Sequence, residues 1–135
     1  MNEAEVFVHE LVDVVPRLRH VLEQHVAEFE GLLPHVFMGA VSRFASNAYN
    51  RCAAGVDGAC RELDALLTAL EQAFSDRGED IQDLIVVSFL ENVAVEVVAA
   101  RDFESRLGPA LRREIQVYLD AYGPEGDPRA RARPQ

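Results

Sequence analysis

The chain has 135 residues, 49% of them apolar and 27% charged, the balance of an ordinary globular protein and not of a disordered one. That length gives room for one domain, able to remove roughly two thirds of the unfolded chain's surface from water. Its formal net charge of −10 repels phosphate backbones, which argues against direct nucleic-acid binding.

No run of about 18 uncharged apolar residues occurs, so no membrane-spanning helix is expected. The longest apolar stretch, Ile81 to Ala100, is broken by Asp83, Glu91 and Glu96. The start Met1-Asn2-Glu3-Ala4-Glu5 carries acids where a signal peptide needs positive charge, and a cytoplasmic location is therefore expected. The acids are concentrated. Between Asp57 and Glu96 stand 10 acids and 2 arginines, while the stretch from Gly123 to Gln135 holds 2 acids and 3 arginines. All basic residues are arginine.

Apolar residues recur at helical spacing almost throughout, and no run of strict alternation suggests a strand. The expected fold is all-α: a compact bundle of five to seven helices in one domain over residues 1–122, built round a central apolar helix at about 81–94. Asn2 can cap a first helix, with Glu5 three residues on as in a capping box. Its seam is Phe7, Leu11, Val14, Leu18, Val21, Leu22, His25 and Phe29, interrupted at Pro16. Pro16 pushes Val15 out of the helical region and is expected to open a second helix.

Gly31 is expected to end helix two and Pro34 to open helix three, with the seam Leu33, Phe37, Val41, Phe44, Ala48 and Cys52. A glycine turn leads to helix four, carrying Leu63, Leu66, Leu67, Leu70 and Phe74. Ser75 to Glu79 reads as a polar loop, with Asp80 as the cap of helix five. Ile81, Leu84, Ile85, Val86, Val87, Phe89, Leu90 and Val93 leave that helix almost no polar face, so it should be buried on several sides. Asp102 can cap a short turn through Leu107. Gly108-Pro109 starts a last helix with Leu111, Ile115, Tyr118, Leu119 and Tyr122 facing in. From Gly123 on, no apolar anchor remains and a disordered tail is expected over 123–135.

Few residues offer chemistry. Cys52 and Cys60 flank the Gly55-Val56-Asp57-Gly58 turn. In a reducing compartment they read as small packed residues at a hairpin end, in preference to a disulfide or a zinc site. His9 and Asp13 share a helix face but lack a third metal ligand. His20 and His25 do not share a face well, and His25 falls on the apolar seam, where a hydrogen-bonded core histidine is the commoner case. No nucleophile elbow, phosphate-cradling glycine loop or catalytic Cys/His pair is present. The expectation is a protein that is not an enzyme and uses no metal or cofactor.

Two groups of polar residues stand out. Asp76, Glu79, Asp80 and Asp83 gather around one loop and a helix start, where they could steer a basic protein partner. His35 in the first turn of helix three, with Ser88, Glu91 and Asn92 on helix five, could form a small polar site. Alternatively, Glu91 and Asn92 satisfy backbone groups at the bundle's edge.

Leu32-Leu33-Pro34-His35-Val36-Phe37, followed later by Val87-Ser88-Phe89-Leu90-Glu91-Asn92, resembles a family of small, acidic, all-helical bacterial proteins without assigned function. The early Val15-Pro16-Arg17-Leu18 and late Leu107-Gly108-Pro109 fit the same pattern, so the resemblance runs from Phe7 to Tyr122. It implies an intracellular helical domain, in some members suspected of acting as an immunity-type inhibitor of a bacterial toxin, and it supplies no catalytic residue. The stretch Val93 to Asp102 is longer and more apolar than the resemblance leads one to expect, which points to an extended helix five or an oligomer contact.

Three readings of function follow. The first is a binding protein that occludes a basic partner such as a toxin, through Asp76, Glu79, Asp80 and Asp83. The second is a self-associating structural or regulatory protein, a homodimer for example, using Val93, Val95, Val97 and Val98. The third is an enzyme or small-ligand binder using His35, Glu91 and Asn92, which requires a pocket between helices three and five.

Overall fold

Asn2 starts the first helix as its side chain dictates: its backbone is extended and its Oδ1 accepts the Glu5 N–H at 2.8 Å, satisfying one of the free amides of a helix start. The computed structural model describes residues 1–96 and 100–121, and the expectation of a disordered tail lies outside them, as does Tyr122. Among the described residues every regular element is helical, so the fold is all-α.

Helix α1 (Glu3–Val14) stops at Val15, held at φ −122° by the proline that follows. Pro16 does not open the next helix as expected. It sits with Arg17 in a turn closed by Leu18 N–H to Val15 O (2.9 Å) and Arg19 N–H to Pro16 O (3.0 Å), and α2 (Leu18–Phe29) begins after it. The turn resets the helical phase. The buried face of α1 is Phe7, Val8, Leu11 and Val12, continued by Val15, while Val14 of the expected seam points out. At the end of α2 the left-handed residue is Glu30 (φ 57°), one position before the expected Gly31. Phe29, placed inward by the seam, is exposed.

Pro34 opens α3 (Pro34–Ala53) at its first turn, after an extended Leu33, as the proline's fixed φ and missing amide favour. Leu33 is exposed and Phe44 half-buried; the buried face is Phe37, Met38, Val41, Ser42, Ala45, Ala48 and Cys52. Helix α4 (Ala59–Asp76) runs on through Ser75 and Asp76, so the expected loop shrinks to Arg77-Gly78. A disulfide joins Cys52 and Cys60 across the α3–α4 hairpin, their Cα atoms 4.6 Å apart. This corrects the expectation of two unlinked packed thiols. The Gly55–Gly58 turn, with both glycines at φ near +80°, is tight enough to bring the two helix ends within bonding reach.

Gly78, not Asp80, is the cap of α5 (Glu79–Ile85), which places Glu79 and Asp80 in the first turn, where the helix dipole favours carboxylates. Gln82 closes the corner by donating its side-chain amide to Phe74 O (3.0 Å) and Arg77 O (3.4 Å), carbonyls left free at the end of α4. The chain then continues through a π-helical segment, Val86–Leu90, into α6 (Glu91–Glu96). This rod is the expected central helix. It packs against α1, α3, α4 and α8, and Ile81, Leu84, Ile85, Phe89, Leu90 and Val93 are buried in it. Val86 is only partly buried and Val87 is half exposed.

Asp102 lies inside the short α7 (Ala100–Glu104) and is not its cap. Phe103 from that helix is fully buried, its ring edge-on to Tyr49. Helix α8 (Pro109–Ala121) starts where Gly108-Pro109 predicts, with Leu111 and Ile115 buried and Leu119 against the core. Its first free amides are taken by α4: the Glu71 carboxylate accepts Ala110 N–H at 2.9 Å and Leu111 N–H at 3.0 Å. Gly108 makes room for that carboxylate. A Cβ there would lie 2.5 Å from Glu71 Cδ.

Candidate functional site

The first turn of α3 and the middle of the central rod meet side by side. His35 Nδ1 and Ser88 Oγ share a hydrogen bond, 2.5 Å long. Ser88 sits at the centre of the π segment, whose wider turn is marked by Glu91 N–H reaching back to Val86 O. Such segments are often found at functional sites. One turn on, Asn92 donates its amide to Ser88 O at 2.8 Å, and its Nδ2 lies 3.9 Å from the position a Cβ on Gly39 would take. His35, Ser88 and Asn92 are thus brought together, with Asn92 serving a backbone carbonyl.

A groove of about 510 Å³ opens beside His35. Glu3 and Ala4 from α1 form one wall, His35 another, and Asp80, Asp83, Leu84 and Val87 from the rod complete it, with Asn2 at the end. Positions 80, 83, 84 and 87 follow the three-and-four spacing that puts side chains on one helix face. Ser88, Glu91 and Asn92 do not line this groove; of the residues expected to form a polar site only His35 does, and the acids beside it are Asp80 and Asp83. Glu3 was missed in the sequence because it lies far away in the chain; its only signal was an acid in a first helical turn.

The structure divides the expected acid group. Asp80 and Asp83 face the groove, and Glu79 is exposed at the start of α5. Asp76 lies instead on a cleft between α1 and α4, with Glu10 and Arg77. Arg77 donates to both Glu10 carboxylate oxygens, at 3.3 and 2.8 Å. That hydrogen bonding holds Glu10 below its ordinary value of 4.5 and raises Arg77 above its own. Other ion pairs join Arg17 to Glu62, Arg19 to Asp13 and Arg106 to Asp64. Among the described residues, Glu3, Asp80 and Asp83 form no direct ion pair, although Arg77, held by Glu10, is close enough to Glu3 for its charge to be favoured by it.

His25 is the buried histidine of the α2–α3 corner. Its Nε2 accepts the Leu33 N–H at 3.0 Å, which requires the proton to be on Nδ1. Burial pushes its pKa below 6.5, against the opposing pull of Glu28. Its ring packs against Phe29 at a tilt of 41° (4.8 Å) and meets Phe37 edge-on (5.6 Å). Asp13 is engaged by Arg19, and among the described residues no three His, Cys, Asp or Glu converge as a metal-ligand set. Of the apolar residues offered for self-association, Val93 is fully buried in the core. Val95, Val97 and Val98 lie outside the residues whose side chains are described.

Fold and site together define a helical-bundle domain with an acidic groove at the junction of α1, α3 and the central rod. The chain belongs to the family described as Domain of unknown function (DUF7674), matched over residues 8–122. No match was found among curated proteins or solved structures.

Proposed function

We propose that this chain is a binding protein that docks a basic protein partner along the groove between His35 and Asp83, and that it acts by occluding that partner in the manner of an immunity-type inhibitor of a toxin. The observation that carries this reading is the set of three carboxylates, Glu3, Asp80 and Asp83, that share one groove and, among the described residues, form no direct ion pair. A groove lined by one sign of charge focuses its field and raises the on-rate of an oppositely charged partner. The groove suits binding better than nucleophilic chemistry, because Ser88, the hydroxyl beside His35, is buried and does not line it. A cytoplasmic location goes with this reading, whereas the Cys52–Cys60 link is of a kind that persists in oxidising compartments. Alkylation of free thiols in rapidly quenched cells separates the two.

Magnitudes limit what the groove can do alone. Exposed ion pairs are each worth up to about 1 kcal/mol, and a micromolar complex needs about 8 kcal/mol. The acids therefore steer, and a stable complex needs apolar contact as well. Affinity capture from native lysate at low and high salt, with the wild-type chain and with Asp80→Asn/Asp83→Asn, tests the reading. A stoichiometric basic protein retained at low salt by the wild type and lost from the variant is expected. Recovery of no stoichiometric partner under either condition overturns it.

A further inference from the structure

Four large apolar side chains are exposed within one short stretch: Val26 (40%), Phe29 (42%), Leu33 (46%) and Val36 (45%). Val26 and Phe29 are three apart at the end of α2 and so are neighbours on its surface, while Leu33, in extended conformation, immediately precedes α3 and Val36 lies in its first turn. His25 joins the two pairs, packing against the Phe29 ring and accepting the Leu33 N–H. The four residues therefore surround a single corner. The left-handed Glu30 and the His25–Leu33 bond fix its backbone, so presenting this surface requires no further ordering. Exposed apolar side chains gathered at one corner and framed by charge are a mark of an interaction site.

The frame is mainly acidic, the nearest arginines in the chain being Arg19, paired with Asp13, and Arg43, whose guanidinium lies 4.0 Å from the position a Cβ on Gly39 would take. From Val21 to Ser42 the chain contains Glu23, Glu28 and Glu30 and no arginine, and all three acids are exposed. A second copy would bring two such frames together on molecules that each carry −10, which disfavours self-association here. A basic protein segment with apolar side chains meets both requirements. His35, which lines the acidic groove, directly precedes Val36, so the corner and the groove meet at the first turn of α3.

We infer that the α2–α3 corner is the apolar anchor of the interface: a basic amphipathic segment of the partner seats its apolar side chains on Val26, Phe29, Leu33 and Val36 while its cationic residues reach Glu23, Glu28 and Glu30. This rests on the reading above that the partner is basic. It assigns retention of the partner to the corner and steering to the groove, the usual division between an apolar interface centre and a charged rim.

The test uses the full chain, isotope-labelled for amide NMR, and three synthetic helical peptides: one with a leucine face and an arginine face, one with glutamates replacing the arginines, and one with alanines replacing the leucines. The leucine/arginine peptide is expected to shift the amides of Val26, Phe29, Leu33 and Val36. Val36→Ser, an exposed change, should weaken it about tenfold or more, as should Phe29→Ser, whose unchanged amide spectrum away from the corner would show that losing the ring beside His25 leaves the fold in place. If that peptide moves only Glu3, Asp80 and Asp83, the anchor is refuted while the basic-partner reading stands. If neither arginine peptide binds, both fall. Equal binding of the leucine/glutamate peptide at the corner overturns the charge argument. A wild-type dimer in light scattering that Phe29→Ser converts to monomer makes the occupant a second copy and overturns the proposal.

Discussion

Gly108→Ala is expected to destabilise the chain only while Glu71 is present. Gly108 is not among the positive-φ glycines, so alanine meets no backbone strain there. Its Cβ would instead fall 2.5 Å from Glu71 Cγ and Cδ and 2.7 Å from Oε1, far inside van der Waals contact. The carboxylate must withdraw, and with it go the acceptors of Ala110 N–H and Leu111 N–H. One lost cap costs about 1 kcal/mol, and an ionised acceptor at a helix N-terminus raises that. Two lost together give about 2–3 kcal/mol. Glu71→Ala removes the same two bonds and should cost the same. The double variant should then lose about 2–3 kcal/mol in all, not twice that, a coupling of about 2 kcal/mol between residues distant in sequence. Urea denaturation of the four proteins, with unchanged m-values, measures this. In the Glu71→Ala background, Gly108→Ala should fall within about 0.5 kcal/mol of zero: the N-cap preference for glycine over alanine is offset by the reduced freedom of the unfolded chain. Equal costs for Gly108→Ala in both backgrounds would refute the reasoning.

Three further outcomes are expected. His25 has a folded-state pKa below its unfolded value of 6.5, so its contribution is full above pH 6.5 and falls as the pH drops below that value, until the folded pKa is passed. His25→Gln, whose oxygen can still accept the Leu33 N–H, should flatten the dependence of the urea midpoint on pH in that window; an unchanged slope would assign it to another group. Glu10 has the opposite origin and a lower window, its stabilising effect present above pH 4.5 and lost as the pH falls through its depressed folded value, and Arg77→Ala should abolish that part of the acid limb. Reduction of Cys52–Cys60, separated by 8 in sequence, should lower stability by about 2.5 kcal/mol from loop-closure entropy; identical urea midpoints with and without reductant would show that the hairpin is as constrained unlinked.

Local chemistry made the helix starts legible. Asn2, Pro34 and Gly108-Pro109 each begin a helix where the residue type requires it, because a cap side chain or a fixed φ acts within one turn. The errors came where the outcome depended on a neighbour. Pro16 broke α1 as its sterics demand, but the turn that followed put Val14 outside and Val15 inside, a change of phase that periodicity alone does not carry. Asp80 looked like a cap, yet Gln82 closes the α4–α5 corner onto Phe74 and Arg77, and the helix begins at Glu79. The cysteines were read by compartment, whereas the tight glycine turn between them decided the geometry.

The site was hidden for a different reason. The all-round apolar character of the segment after Ile81 concealed a π turn. Ile85 and Leu90 are both buried, although five residues in a regular α-helix would turn them about 140° apart. Widening the turn at Val86–Leu90 brings Leu90 back to the core and leaves Val87 exposed on the groove. In the same segment Ser88 is directed at His35, and Asn92 takes the Ser88 carbonyl. A sequence with one strong apolar stripe would have announced a regular helix and kept position 87 on a definite face. Val86-Val87-Ser88-Phe89-Leu90 has no such stripe and tolerates the extra residue in the turn. The groove then depends on that tolerance, since Val87 completes a wall whose acids come from Asp80 and Asp83 and whose opposite side comes from Glu3. Its composition is a property of three elements packed together, and no single stretch of the chain contains it.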